Sequence, residues 1–162
     1  EQLYKDKGIQ FLTDYISSLP KDFSPPAKLE EPFNIPITIN NRTIKIGGKI
    51  DRIDKLANGT HEIIDYKTGK SKSQKEVDTD LQLSFYALAA KALGIDSDKL
   101  NLSLYFFDTQ QKFTTQRTKA QLDAAITEIF GYVDQIEQSD FACSKNQIIC
   151  SHCDFQPLWD VK

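Results

Sequence analysis

The 162-residue sequence has no methionine, one tryptophan and two histidines. No apolar run approaches the roughly 18 to 20 residues that a bilayer crossing needs, which excludes a spanning helix and a membrane partner. The opening EQLYKDKGIQFL is too polar for a secretory leader, so a cytoplasmic or nucleoid-associated protein is expected. Methionine is missing even at position 1, which points to a chain excised from something longer. A net positive charge is missing as well. A net charge of −3 excludes coating of nucleic acid by bulk charge, because nonspecific affinity comes from neutralised phosphates, although a local basic groove stays open. The three cysteines all fall between 143 and 153, an odd number in one short segment that suits metal chemistry or buried thiols better than a secreted disulfide framework. What is present, 40% hydrophobic and 27% charged residues, describes one globular domain long enough to bury a core.

Leu3, Ile9, Phe11, Leu12, Tyr15, Ile16 and Leu19 recur at largely helical spacing before Pro20, which predicts an amphipathic helix over 1–19. A proline-bearing loop follows. FNIPITI, TIKIGGKIDRIDKL and HEIIDYKT alternate with period two and are separated by Asn40-Asn41 and Asn58-Gly59, the signature of an antiparallel meander. Helical periodicity takes over from Asp78 to Leu93, with Gly94 placed as a C-terminal cap. LNLSLYFFD and QKFTTQRT predict two further strands, and 119–139 a long helix. This order implies an α/β domain with a central mixed sheet of five to six strands flanked by helices.

The stretch EIIDYKTGK places charge at the end of an apolar strand. Three explanations compete: a solvated strand end, a phosphate-binding lysine loop, and a metal-dependent catalytic strand. The lysine loop fails, because DYKTGK lacks the Gly-x-x-x-x-Gly-Lys-Ser/Thr spacing whose amides cradle phosphate. Asp65 and Lys67, two apart, project to one face of a strand, opposite Ile64 and Tyr66. Asp51, on the preceding strand in GGKIDRID, can lie beside Asp65. Two carboxylates so close repel unless a cation or proton joins them, and hard ions such as Mg²⁺ accept such oxygens together with water and phosphate. Arg52 and Asp54 alternate with Asp51 and predict an outward ion pair. Gln82 and Tyr86, four apart on an otherwise apolar helix, invite a ligand-facing role. Lys70, Lys72 and Lys75 read either as a solvated loop or as phosphate steering. Tyr105, Phe106 and Phe107 are expected in the strand core.

GGKIDRID, EIIDYKTGK and DLQLSFYALAA, in that order and at these spacings, resemble the core of the PD-(D/E)XK nuclease superfamily, specifically the RecB-like branch found at the C-terminus of UvrD/RecB- and AddA/AddB-type repair helicases. The resemblance runs from about Glu30 to Trp159 and implies one nuclease-like domain over 1–162, with a restriction-endonuclease-like core. It makes Asp51 and Asp65 metal-binding aspartates, the Tyr66 carbonyl a further ligand, and Lys67 the catalytic lysine. Gln82 and Tyr86 match a Gln-x-x-x-Tyr element that contacts DNA or supports the site, and Glu30 falls near a family glutamate position. The implied activity is Mg²⁺- or Mn²⁺-dependent DNA exonuclease or endonuclease cleavage in repair and recombination, with helicase domains of the same polypeptide or a partner subunit beside it.

Two departures stand out. Members of this branch carry a histidine on the first helix, whereas here the histidines are His61 and His152. Iron–sulfur members end in Cys-x-x-Cys and a later cysteine; Cys150 and Cys153 match the pair, but Trp159 stands in place of the last. The 140–162 tail is therefore expected to be a degenerate cysteine loop without a cluster, with Cys143, Cys150 and Cys153 as disfavoured ligands of zinc or iron. The rival to a working nuclease is a nuclease-like module that no longer cuts and serves DNA binding or subunit docking. A zinc-stabilised interaction domain built on the three cysteines is a third reading.

Overall fold

The computed structural model describes residues 2–21, 23–139, 151, 153 and 154. The chain divides into two compact units, Glu1–Thr127 and Glu128–Lys162. The first holds helix α1 (Gln2–Ser18), strands β1 (Lys28–Ile39), β2 (Arg42–Lys55) and β3 (His61–Lys67), the short helix α2 (Gln74–Asp78) and helix α3 (Leu81–Ala92). Strands β4 (Leu100–Phe106) and β5 (Gln111–Thr115) complete its sheet. Helix α4 (Lys119–Gln138) starts in the first unit and supplies the described helix of the second. No helix among the described residues is long and apolar enough to cross a membrane.

The five strands lie in the order β1-β2-β3-β4-β5, antiparallel except where β3 runs parallel to β4. The mixed α/β sheet flanked by helices is the expected architecture, with five strands. Turn chemistry sets its hairpins. Asn40 and Asn41 both take positive φ (47° and 63°), the pair of left-handed residues that matches a two-residue turn to strand twist. A parallel neighbour cannot be reached by a tight turn, and the β3–β4 crossover carries α2 and α3. Helix α3 stops in a paired cap: Gly94 at φ 77° donates to the Lys91 carbonyl (3.2 Å), and Ile95 donates to that of Ala90 (2.9 Å).

Helix α2 departs from the sequence reading, which begins one helix at Asp78. Ser73 and Glu76 form a reciprocal capping box that starts a helix four residues earlier, and Asp80 then caps α3 by accepting from the Leu83 amide at 3.1 Å. Arg117 closes the junction, donating to the carbonyls of Val77 (3.1 Å) and Asp80 (3.0 Å) and to the Ser84 hydroxyl (3.0 Å). The start of α3, which carries Gln82, is thus held at several backbone points.

The apolar centre comprises Ile50, Ile53, Ile63, Leu83, Ala87, Ala90, Leu102, Leu104 and Phe106, all buried. Tyr105 and Phe106 sit in the core as expected, with Phe107 part-buried beside them. Helix α1 forms over the expected residues, but its contacts come from a narrower face. Phe11 and Tyr15 pack on Phe107, and Tyr15 meets Tyr66 and Tyr105 edge to face. Leu3, Ile9, Leu12 and Ile16 stay exposed (56–77%), so most of the apolar stripe read from the sequence is not the docking face.

Candidate active site

Two networks of side chains meet at the end of β3. Ile63 and Ile64 anchor that strand in the core, and the following Asp65 is itself only 3% exposed. The β2–β3 ladder ends at Arg52 opposite Ile64, so one further step in register sets Asp51 against Asp65. There the side chain takes over from the backbone: Asp51 Oδ2 accepts the Tyr66 N–H at 3.0 Å.

Asp65 and Lys67 share a face, as alternation requires. Asp65 Oδ1 accepts from the Tyr86 hydroxyl at 2.8 Å and from Gln82 Nε2 at 3.1 Å. Gln82 Nε2 also donates to the Tyr86 oxygen (2.8 Å), while its Oε1 accepts from Lys67 Nζ (2.7 Å), which fixes the orientation of the amide. Asp65 Oδ2 differs. Lys67 Nζ lies 2.6 Å away but off the hydrogen-bonding direction, so this buried oxygen has a charge beside it and no aligned donor. Burial pushes the Tyr86 phenol up from its ordinary pKa, helped by the charge of Asp65 and then that of Asp51. The hydroxyl therefore stays a donor to the carboxylate.

Behind the strand, Arg52 and Asp54 form a two-point pair, Nε to Oδ1 at 2.8 Å and Nη2 to Oδ2 at 2.7 Å. This corrects the outward pair expected from alternation: Arg52 is 7% exposed, because α1 covers this face. Its Nη1 donates to the hydroxyls of Tyr15 (2.9 Å) and Tyr66 (3.1 Å), which bond each other at 2.7 Å. Burial works to lower the Arg52 pKa, but the bonds that Arg52 donates to Asp54 and to Tyr66 carry it above its ordinary value. Tyr66 is consequently held at its hydroxyl by Tyr15 and Arg52 and at its amide by Asp51.

Other sequence candidates are placed as follows. Glu30 falls opposite Asp51 in the β1–β2 register, yet its left-handed φ of 51° interrupts the ladder, and its exposed carboxylate pairs with Lys49 at 3.1 Å. It does not join the two aspartates, and the described residues hold no group of three or more His, Cys, Asp or Glu suited to a metal ion. Lys70 is exposed on the loop after β3, Lys75 lies in α2, and Lys72 is tied to the α3 cap through Asp80 at 2.6 Å. His61 stands at the start of β3, the opposite end from the aspartates. Cys153 is a half-buried free thiol; Cys143, Cys150, His152 and Trp159 lie outside the described residues. Sequence reading missed Tyr15, Arg52 and Arg117 as parts of the site's support. Ser73-x-x-Glu76 was the one available signal for the helix start nearby.

The family model of the PD-(D/E)XK nuclease superfamily matches residues 9–158. Among solved structures, the one titled "Crystal structure of SSO0001" aligns with a TM-score of 0.50 at 17% identity, covering 81% of this chain and 58% of its own, a likeness of fold. This chain thus spans little more than half of that protein's length. No curated protein matches the sequence.

Proposed function

The chain belongs to the PD-(D/E)XK nuclease superfamily, and from that premise we propose that it is a DNA nuclease that uses Mg²⁺ or Mn²⁺ held by Asp51, Asp65 and the Tyr66 carbonyl. The observation that carries the reading is Asp65 Oδ2, a buried carboxylate oxygen without an aligned donor in a site where every other polar atom of the Asp65–Gln82–Tyr86 group is bonded. Two carboxylates suit a small hard ion that keeps several waters and takes its remaining ligands from substrate phosphate. Such an ion, when bound, neutralises phosphate charge and activates a water.

The chain's own residues do the rest. Tyr86 and Gln82 hold Asp65 Oδ1 and so aim Oδ2 at the site. Lys67 is kept close by the Gln82 carbonyl, and its ammonium stabilises the charge that builds on the phosphate during in-line attack. Asp51 holds the Tyr66 amide, and Tyr15 and Arg52 hold its hydroxyl. We place this activity in DNA repair and recombination, as the nuclease module of a RecB-like helicase-nuclease, with 1–162 acting as a single domain.

Linear single- and double-stranded DNA incubated with Mg²⁺ or Mn²⁺ tests the proposal, beside Asp65→Ala and Lys67→Ala. Cleavage by the parent protein alone is expected; equal cutting by all three sinks it. The presence of only two carboxylates in the described site favours a second reading, a non-cutting DNA-binding or docking module. That module would bind DNA with no cleavage at any metal concentration.

A further inference from the structure

The β1–β2 hairpin runs past the last β2–β3 pair and leaves, against α3, a cavity of about 280 Å³. Its walls include Phe33, Gly47, Gly48, Gln82, Phe85 and Tyr86. Two of these, Gln82 and Tyr86, are the side chains that grip Asp65, so the cavity opens directly beside the candidate catalytic carboxylate. Its other walls are two aromatic rings, the backbone of two glycines, and Ile46 and Lys49. Phe33 stands edge to face with Tyr86 at 6.2 Å. The far edge of the same ring takes the place that a side chain on Gly48 would need, since a Cβ there would lie 2.8 Å from Phe33 Cζ. Neither glycine adds a side chain to this wall, the Phe33 ring lying over Gly48, and Phe33 and Phe85 are both only part-buried.

A flat aromatic ligand satisfies these walls, because ring faces and bare peptide planes accept a planar partner with little lost rotamer freedom. Gln82 is exposed at the edge, and its Oε1, which accepts one bond from Lys67, keeps a second lone pair for a donor on a heteroaromatic rim. We infer that the cavity is a nucleobase subsite in which the base next to the scissile phosphate lies out of its stack against Phe33 and Phe85. This rests on the nuclease reading for the identity of the neighbouring phosphate, though not for the stacking itself. Bases paired in a duplex cannot enter such a pocket, so an unpaired or flipped nucleotide is required at the cut.

Fluorescence anisotropy with a short single-stranded oligonucleotide and its abasic counterpart, in the absence of divalent metal, tests the subsite. The parent protein should prefer the base-bearing strand. Phe33→Leu, which keeps apolar bulk for folding, should lose about 5- to 100-fold in affinity for that strand and nothing for the abasic one, whereas Phe33→Tyr should retain the preference. Gly48→Val, which displaces the Phe33 ring, should behave like Phe33→Leu. Equal binding of both strands by the parent protein, or equal loss on both with Phe33→Leu, overturns the subsite. If the preference is found but no metal condition yields cleavage, the nuclease reading fails and the subsite stands; cleavage without the preference gives the reverse.

Discussion

The two sides of the β3 strand end carry nearly the same chemistry and finish in different states. Behind it are a carboxylate, a cation and two phenols: Asp54, Arg52, Tyr15 and Tyr66. In front are two carboxylates, a cation, an amide and a phenol: Asp51, Asp65, Lys67, Gln82 and Tyr86. The rear group is closed. Both oxygens of Asp54 meet the guanidinium fork, and the remaining Arg52 nitrogen serves both hydroxyls. The front group is left open at Asp65 Oδ2, with Lys67 alongside but misaligned. Arginine's planar fork suits a fixed two-point pair, while lysine's flexible point charge can leave one oxygen for another. The rear network holds the strand, and in front the Asp65 oxygen faced by Lys67 alone is where a ligand can act.

Breaking the rear pair gives the largest expected effect on stability. Arg52→Met should cost about 3–5 kcal/mol in denaturant unfolding, because Asp54 is left as an uncompensated, largely buried charge. Adding Asp54→Leu should recover most of it, since replacing both partners removes the stranded charge. A double variant no better than the single one contradicts the closed-network description.

In front, Tyr86→Phe removes one of two donors to Asp65 Oδ1 and should cost about 1–3 kcal/mol. It should also weaken divalent-metal affinity by about 10- to 100-fold, the usual effect of deleting a residue that orients a ligand. An unfolding loss without a change in metal affinity would make Tyr86 a packing residue only.

Two of the three phenols, one on each side, also set an alkaline limit. Tyr15 and Tyr86 are both held above the ordinary tyrosine pKa of 10.0, first of all by burial. The unfolded chain therefore releases these protons before the folded one does. The stabilisation is fully present below pH 10.0 and is lost as pH rises from there through the raised folded values. Melting curves at increasing alkaline pH should show a shallower decline in Tyr86→Phe and in Tyr15→Phe than in the parent.

The smallest effect concerns Glu30. Glycine there relieves a left-handed backbone and should raise stability by up to about 1 kcal/mol, less the weak exposed pair with Lys49. Cleavage should be unaltered. A loss of tenfold or more would place Glu30 with the aspartates after all.

Much of this was legible in the chain. Alternation put Asp65 and Lys67 on one face, Asn40-Asn41 and Gly94 marked turns that formed as read, and the Gln82-x-x-x-Tyr86 spacing brought both side chains to Asp65. The rear network was not legible, for a physical reason. Alternation states that Arg52 and Asp54 share a face, but whether that face meets water depends on where α1 lies, which is a long-range matter. The α1 stripe misled similarly: Phe11 and Tyr15 dock because aromatic partners await them on Tyr66, Tyr105 and Phe107, whereas Ile9, Leu12 and Ile16, at least as apolar as Tyr15, stay exposed. Arg117 gave no local signal at all, since its acceptors are the carbonyls of Val77 and Asp80, far away in sequence.

Calorimetric titration with Mn²⁺ of the parent protein, Asp51→Asn and Asp65→Asn addresses the open oxygen most directly. Saturable binding by the parent, lost in both variants while their folds persist, is the predicted result. The same heat in all three proteins, or none in the parent, contradicts the assignment of Asp65 Oδ2 as a metal-accepting atom.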